Sequence, residues 1–479
     1  VVRQQGETGT IFPAERLMAW LNRRLWDWIT PAIGALGLIG PGSAVARAQA
    51  PVIIPGLPGT GLQIGERPET NRWPYTDLVV GASPRTISDA PAPPTYGVTG
   101  DWRGLRDALF DEGIDVRAAA TQFEQGAAGG LRQGPRYGLK LDYFATIEAD
   151  KLFGWDGLFV NLHGESRFGQ SVNRDLGSLT PANFALEFPS PTGTASALTN
   201  VQVEQFIGPN LVATFGKLNA ADGVNLHPFL GGNGVDRFLN EAFVLSPVYG
   251  RTIPYSTPGA GFSRLRGSEP VFTFLVLDSS GVPYTSGLSR MFRNGATLFT
   301  QFRIPVKPFG RPGHQSIEAA YASGKFSPLT EDDYVLLPTA PGRERSGTWV
   351  VTYGFDQFLR VDPESPNRGW GVFGNVSLAD PNTNPIHWFL NLGAGGVSPL
   401  PGRSADTFGA GYYYLGASEA LREALQSLAP IRNEQGFEFF YNAAITPWFV
   451  LTADLQAIDP AQLDARSSLV LALRAKLSF

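Results

Sequence analysis

The sequence predicts an all-β fold: a transmembrane antiparallel β-barrel of sixteen strands with a short N-terminal helix. Apolar and polar residues alternate along most segments from residue 115 to the C-terminus, so that each segment has one apolar and one polar face. The high content of glycine (56) and proline (38) and the low charged fraction of 17% suit many strands joined by turns. A hydrophobic content of 43% fits this fold, because only alternate residues of a barrel strand face lipid.

Residues 1–48 have the parts of a secretory signal peptide. Two adjacent arginines precede an apolar stretch over 28–40, and a small-residue A-x-A motif ends at Ala48. We expect cleavage after Ala48. We also expect Met18 to be the true start, because the chain has only 2 methionines and this one stands just before the arginines. The alternative is a retained membrane anchor, although the apolar stretch is too short for a spanning helix.

Residues 49–97 form a linker rich in proline and glycine, with no clear periodicity. A short helix is expected at 101–110, where Asp101 can cap the start and Gly113 can mark the end. The barrel domain is therefore expected to cover 98–479.

The strands are predicted from the two-residue period. Leu139 and Leu141 lie on one predicted face of their segment, and Lys140 and Asp142 lie on the other. The candidate strands are 115–124, 137–150, 157–168, 198–207, 211–218, 259–266, 270–277, 296–304, 314–322, 347–361, 369–379, 386–394, 406–414, 435–445, 448–456 and 467–479.

The number and parity of these candidates support a closed barrel. Sixteen is even, as single-chain bacterial barrels require. It places the short connections 208–210, 267–269 and 446–447 at one end and the five long connections at the other. A seventeenth candidate at 240–247 would destroy this asymmetry, so we interpret 219–258 as one long third external loop. A barrel of sixteen strands leaves an aqueous lumen.

The last strand ends in an aromatic residue. Leu469, Leu471, Leu473, Leu477 and Phe479 share one face of it. A C-terminal aromatic on an alternating strand resembles the signal that the outer-membrane barrel-assembly machinery reads, so this machinery is an expected partner through Phe479.

The motifs of common enzymes are missing. There is no cysteine, the 4 histidines form no H-E-x-x-H motif, and no G-x-S-x-G elbow occurs. A G-x-G-x-x-G match at 369–374 lies inside an alternating strand, where its glycines would relieve crowding. A net charge of −5 argues against a nucleic-acid partner. We therefore expect no catalytic residue, no metal and no cofactor.

A passive pore needs a narrow passage lined by charged and hydrogen-bonding groups. One polar strand face, one further arginine and the third external loop offer such groups. The candidate pore-lining residues are Asn161, His163, Glu165, Arg167, Asp222, His227, Asp236, Arg237 and Arg264. The alternative for each residue is a structural role, in which the side chain on the barrel wall pairs with a neighbouring group and makes the barrel more rigid.

Several short sequence segments, in order along the chain, resemble motifs of the carbohydrate-selective porin (OprB-type) family. They lie at 99–107, 161–169, 225–229, 251–257, 309–314 and 446–456. The sequence departs from the family pattern at Arg103, where glycine is expected, and at Asn233, where the loop often carries a basic residue. The second departure puts the charge pattern of the pore in question.

The resemblance implies a sixteen-stranded channel in the outer membrane of a Gram-negative bacterium, through which glucose and similar small sugars diffuse passively. Its expected partners are these sugars, outer-membrane lipid and, in a homotrimer, further copies of the chain. Some relatives pass inorganic ions, so a general or ion-conducting porin is one alternative. A secreted all-β protein that binds or hydrolyses polysaccharides is another, and a barrel enzyme or adhesin is a third.

Overall fold

The computed structural model describes residues 97–479 except 224–226, 282, 327–328, 330–343, 363–367 and 427–428. The expected signal peptide lies outside the described residues, and so does the expected linker apart from its last residue. The predicted sixteen-stranded antiparallel barrel is confirmed. Its strands are β1 Ile114–Gly130, β2 Gly134–Glu148, β3 Leu158–Gly169, β4 Ala195–Phe206, β5 Leu211–Asn219, β6 Ser256–Arg266, β7 Glu269–Asp278, β8 Ala296–Val306, β9 Gly313–Phe326, β10 Arg345–Val361, β11 Gly369–Ala379, β12 Ile386–Val397, β13 Thr407–Ala417, β14 Glu434–Thr446, β15 Phe449–Asp459 and β16 Arg466–Ser478.

The strands pair in chain order, and β1 pairs with β16 to close the ring. Each strand overlaps one of the sixteen predicted segments. The rejected seventeenth candidate contains a short helix rather than a strand. The five longest connections, at 170–194, 220–255, 279–295, 327–344 and 418–433, all lie at one end of the barrel, which we call the long-loop end. The other end is the short-turn end.

The helices are short. Among the described residues they are α1 Leu105–Asp111, α2 Ala149–Phe153, α3 Asn173–Leu176, α4 Ala220–Gly223, α5 Glu241–Val244 and α6 Glu419–Leu425, and three 3-10 helices cover Pro247–Arg251, Leu288–Arg290 and Pro308–Gly310. Helix α1 confirms the expected N-terminal helix, but it begins at Leu105 after Gly104, and Asp101 does not cap it as predicted. In the described part of the chain, no helix combines the length and the apolar character needed to cross a membrane.

The chain ends meet at the closure of the barrel. The Phe479 amide donates to the Ala118 carbonyl on β1 at 2.8 Å, which continues the β1–β16 pairing to the last residue. The Arg106 guanidinium of α1 donates to the Phe479 carbonyl at 3.2 Å. Helix α1 is therefore held against the seam where the two terminal strands pair.

The two faces of the wall differ as the alternation predicts. On β16, Leu471 is 59% exposed, whereas Arg474 on the other face is 1% exposed. Large apolar side chains form the exposed outer surface of the barrel, and polar and charged side chains are buried on its inner face. This is the arrangement required where lipid surrounds a polar lumen.

Two long connections fold into the lumen. Loop L3 (220–255) sends Phe229, Phe238 and Phe243 into the inner wall of β10–β14, where they join a large buried apolar cluster. Glycines make room for these rings: a Cβ on Gly371 would lie 2.6 Å from the Phe229 ring, and one on Gly411 would lie 2.5 Å from the Phe243 ring. The predicted role of the 369–374 glycines in relieving crowding is thus confirmed at Gly371.

Loop L2 (170–194) packs against the neighbouring part of the wall. Its Val172 and Leu176 join Val470 of β16 in a second buried apolar cluster. Two glutamates of β14 hold both loops through backbone N–H groups. Glu434 accepts from the Leu179 amide of L2 at 2.6 Å, and Glu438 accepts from the Leu239 amide of L3 at 2.5 Å. Both loops are therefore fixed inside the barrel rather than lying above it.

Candidate functional site

A cluster of five charged side chains joins the inner wall of β2 and β3 to the start of L3. We call Lys140, Asp142, His163, Glu165 and Asp222 the His163 cluster. The imidazole lies between two carboxylates: its Nε2 is 3.2 Å from Asp142 Oδ1, and its Nδ1 is 2.9 Å from Asp222 Oδ2. Lys140 Nζ lies 2.6 Å from Glu165 Oε1. The ring of Phe144 stacks on the imidazole with centroids 4.2 Å apart.

Two further residues of L3 complete the hydrogen bonding of this cluster. The Tyr255 hydroxyl donates to Glu165 at 2.8 Å, and the Asn233 amide donates to Asp222 Oδ1 at 2.9 Å. Asn233 has a φ of 50°, a left-handed conformation that asparagine tolerates better than most residues. The departure from the family pattern at this position therefore supports Asp222 instead of adding a positive charge.

The His163 cluster has ligand types that could bind a metal, because one potential ligand atom each from Asp142, His163 and Glu165 lie within 4.8 Å of one another. The Lys140 ammonium lies 2.6 Å from Glu165 and 3.7 Å from Asp142, so it takes the place that a cation would need. Both imidazole nitrogens already face carboxylates. The arrangement is that of an ion-pair network.

A second charged network lies on the wall formed by β7–β10. We call Glu269, Arg303, His314 and Asp356 the Asp356 cluster. Arg303 lies 3.2 Å from Asp356, and the two nitrogens of His314 lie 2.8 Å from Asp356 and 3.1 Å from Glu269. Arg303 and Asp356 were not among the predicted site residues, although the alternation in their strands places both on the inner face.

His227 of L3 adjoins the Asp356 cluster. Its Nδ1 accepts from the backbone N–H groups of Phe229 at 3.2 Å and Leu230 at 3.1 Å, and its Nε2 lies 3.8 Å from Asp356 Oδ2. Burial lowers the pKa of His227 to about 3, and the nearby cations Arg303 and Arg237 act in the same direction. The imidazole is therefore neutral at physiological pH, as an acceptor of two N–H groups must be.

Loop L3 contacts nearly opposite walls within a short length of chain. Asp222 contacts β3, and His227 lies beside β10, seven strands away in a ring of sixteen. The five residue steps between them span at most about 18 Å between Cα atoms. L3 therefore narrows the lumen at this level, and the two charged clusters flank the narrowing.

The other predicted site residues divide between the wall and the loops. Asn161 donates to Glu204 at 2.9 Å on the inner wall. Arg167 donates to the carbonyls of Leu186 at 2.8 Å and Gly193 at 2.7 Å, so it holds L2 rather than lining the passage.

Arg237 and Asp236 hold L3. The Arg237 guanidinium donates to the His227 carbonyl at 2.6 Å, and burial lowers the pKa of Arg237 to about 10. Asp236 forms an ion pair with Lys476 on the inner face of β16. The pair connects L3 to the wall beside the barrel closure.

Arg264 requires a correction. Arg264 is exposed, whereas its neighbour Ser263 is buried on the inner face. Arg264 lies opposite Phe272 of β7, and the Phe272 ring packs against Phe302, which faces outward. Arg264 therefore lies on the outer surface near the short-turn end. In β6, Phe262 and Arg264 are both exposed and Ser263 and Leu265 are both buried, so the alternation itself places Arg264 on the outer face, and its charge alone was misleading.

Comparison with known proteins is consistent with this architecture. Residues 132–479 match the family described as carbohydrate-selective porin, OprB family. Porin B of Pseudomonas aeruginosa is 20% identical over 413 residues, which is 78% of this chain and 88% of that protein. The high-pH structure of Pseudomonas putida OprB superposes with a TM-score of 0.69 at 20% identity, covering 81% of this chain and 100% of that one.

The low-pH structure of the same Pseudomonas putida protein has a TM-score of 0.50 at 17% identity and covers 80% of this chain and 98% of that one. These likenesses support the fold, and the family match covers most of the chain. The barrel with its outward apolar surface is accordingly a protein of the bacterial outer membrane. The chain belongs to the OprB family of carbohydrate-selective porins.

Proposed function

We propose that this porin is a passive, water-filled channel for small neutral sugars such as glucose, and that it performs no catalytic step. The observation that carries the proposal is the narrowing made by L3, which two clusters of paired charges flank. In the His163 cluster each described cation faces a carboxylate, as Lys140 faces Glu165 and His163 faces Asp222. The pairing keeps the net charge at the border small. Lys140, His163 and Glu165 are buried and hold this border in place, and Asp222, whose side chain is 17% exposed, can accept a hydrogen bond from a sugar hydroxyl.

The predicted site residues have different parts in this proposal. His163, Glu165, Asp222 and His227 belong to the clusters that border the narrowing, and Asn161 belongs to the polar wall of β3. Arg167, Asp236 and Arg237 position the loops that form the passage. The alternative of a secreted protein that acts on polysaccharides does not explain the large apolar side chains exposed around the barrel.

Three partner proposals accompany this function. The outward apolar surface contacts outer-membrane lipid. The assembly machinery recognises the terminal strand through Phe479, whose backbone completes the seam with β1. Further copies of the chain, in a homotrimer, cover the outer face of β1, where Gln122 and Glu124 are exposed among small residues.

The proposal is tested by single-channel conductance of the detergent-purified protein in a planar bilayer, with increasing glucose. We expect stepwise conductance that glucose reduces in a saturable way. If glucose does not change the conductance and the channel passes chloride or phosphate, the protein is an ion-conducting porin and not a sugar-selective one. A folded sample that forms no channels would contradict the channel itself.

A further inference from the structure

A cavity of about 530 Å³ opens at the long-loop end of the lumen, beside the His163 cluster. Its size falls within the ~300–1,000 Å³ usual for small-molecule sites. L2, the end of L3, the β7–β8 connection and the end of β9 form its walls. The lining includes Phe188, Arg251, Pro254, Tyr255, Asn294 and Phe326.

A pair of stacked rings forms one wall of this cavity. Phe188 of L2 and Tyr255 of L3 lie with ring centroids 3.9 Å apart at an interplanar angle of 12°. Both side chains are half-buried, so each keeps part of its surface accessible. The apolar C–H face of a pyranose can pack on such a surface, because aromatic rings combine a large apolar area with a polarised face.

Buried groups hold the two rings in place. The Tyr255 hydroxyl donates to both carboxylate oxygens of Glu165, at 2.8 and 2.9 Å, and Phe188 packs on the buried ring of Phe184 with centroids 5.0 Å apart. A ligand therefore meets a surface that is already ordered, and its binding costs little side-chain entropy.

Polar groups complete the cavity. Asn294 belongs to the lining, and so does Arg251, whose guanidinium lies 5.9 Å from the centroid of the Phe326 ring. Arg251 also donates through Nε to the Thr383 carbonyl at 3.1 Å, which fixes the side chain. Amide and guanidinium groups next to an aromatic surface are the combination that recognises a sugar by its hydroxyls and by its apolar face.

We infer that this cavity is a carbohydrate docking site, distinct from the narrowing, in which a neutral pyranose packs on the Phe188–Tyr255 pair before it passes the His163 cluster. The inference rests on the proposed function and deepens it. Because Tyr255 lines the cavity and donates to Glu165, the cavity adjoins the part of the wall that borders the narrowing. The cavity would concentrate sugar at the mouth and increase the rate of entry from that side.

The test is glucose block of single channels, with sugar added to the long-loop side. Phe188→Leu keeps an apolar side chain and removes the ring, so we expect an about two- to tenfold weaker block, as the loss of one aromatic contact implies. Tyr255→Leu should weaken the block similarly, and Tyr255→Phe, which keeps the ring, should retain most of it. Phe309→Leu is the matched control, because its ring is 93% exposed at the short-turn end.

The docking site is overturned if glucose blocks Phe188→Leu and Tyr255→Leu as strongly as the original protein and the conductance of all three is normal. That result would leave the proposed sugar channel intact. Absence of glucose block in the original protein would overturn both proposals. Weaker block in Phe309→Leu as well would also overturn the docking site, since the effect would not depend on the cavity. Conductance without sugar shows in each case that the variant has folded.

Discussion

Glu241 is the residue whose protonation most clearly affects the stability of the folded loops. It begins helix α5 inside the barrel. Burial, together with the neighbouring carboxyl groups of Glu187 and Glu434, raises its pKa to about 8. At neutral pH the folded protein therefore keeps a proton on Glu241 that the unfolded chain releases.

The sign of the pH dependence follows from this difference. Between the ordinary glutamate pKa, near 4.5, and about 8, the folded state binds more protons than the unfolded state, so its stability falls as the pH rises. Glu241→Gln stays neutral at every pH and escapes this loss. We expect the variant to gain on the order of 3 kcal/mol relative to the original protein between pH 5 and pH 9.

Urea unfolding of the detergent-solubilised protein at both pH values measures this gain. Glu419→Gln is the matched control, because Glu419 also stands in the first turn of a short helix but its side chain is exposed. If the free energies of unfolding of Glu241→Gln and the original protein keep a constant difference from pH 5 to pH 9, the ionisation of Glu241 is not coupled to folding.

The position of the whole of loop L3 depends on its attachment to the barrel wall through His163. His163 is 2% exposed and connects Asp142 on the wall with Asp222 on the loop. His163→Leu leaves two carboxylates without this partner. Removal of one member of a buried charged network costs about 3–5 kcal/mol, so we expect a loss of unfolding free energy of that order. We also expect higher and noisier conductance, because the start of L3 loses its tether.

The measurements are urea unfolding and single-channel recording of the same preparation. His387→Leu provides the control, since His387 lies on β12 and has no ion pair among the residues that the structure describes. His163→Gln, which keeps one hydrogen-bond donor, should fall between the two. Unaltered conductance and stability in His163→Leu would show that other contacts are enough to hold L3.

The elements also differ in how far the sequence predicts them. Strands could be predicted because a wall between lipid and water requires alternation, and each of the sixteen segments carries it. The third loop was expected to contribute to the narrow passage, but the wall on which L3 rests could not be predicted, since its phenylalanines read as apolar loop residues until the glycines of β11–β13 are placed opposite them. Alternation could have identified Arg303 and Asp356. It could also have placed Arg264 outward together with Phe262, because the alternation of β6 is unbroken there.

The outer surface of the barrel has one feature that matters for the whole molecule. Glu124 is exposed on the outward face of β1, opposite Leu473 of β16 and Tyr137 of β2. Leu473 is in the middle of the outward residues of its strand, so Glu124 lies well inside the lipid-facing surface. Charged groups there destabilise a barrel, by about 2–4 kcal/mol for a basic residue at the midplane and less for an acidic one.

A second copy of the chain would cover Glu124 and supply hydrogen-bond donors such as the Gln122 amide. On this basis we expect Glu124→Leu to weaken self-association in detergent and to stabilise the single barrel. The association state is measured by sedimentation as a function of protein concentration. Thr300→Leu is the matched control, because Thr300 also faces outward but lies on β8, across the ring from β1 and β16. A protein that sediments as a single barrel at every concentration, with and without Glu124, would contradict the proposed homotrimer and leave Glu124 in contact with lipid.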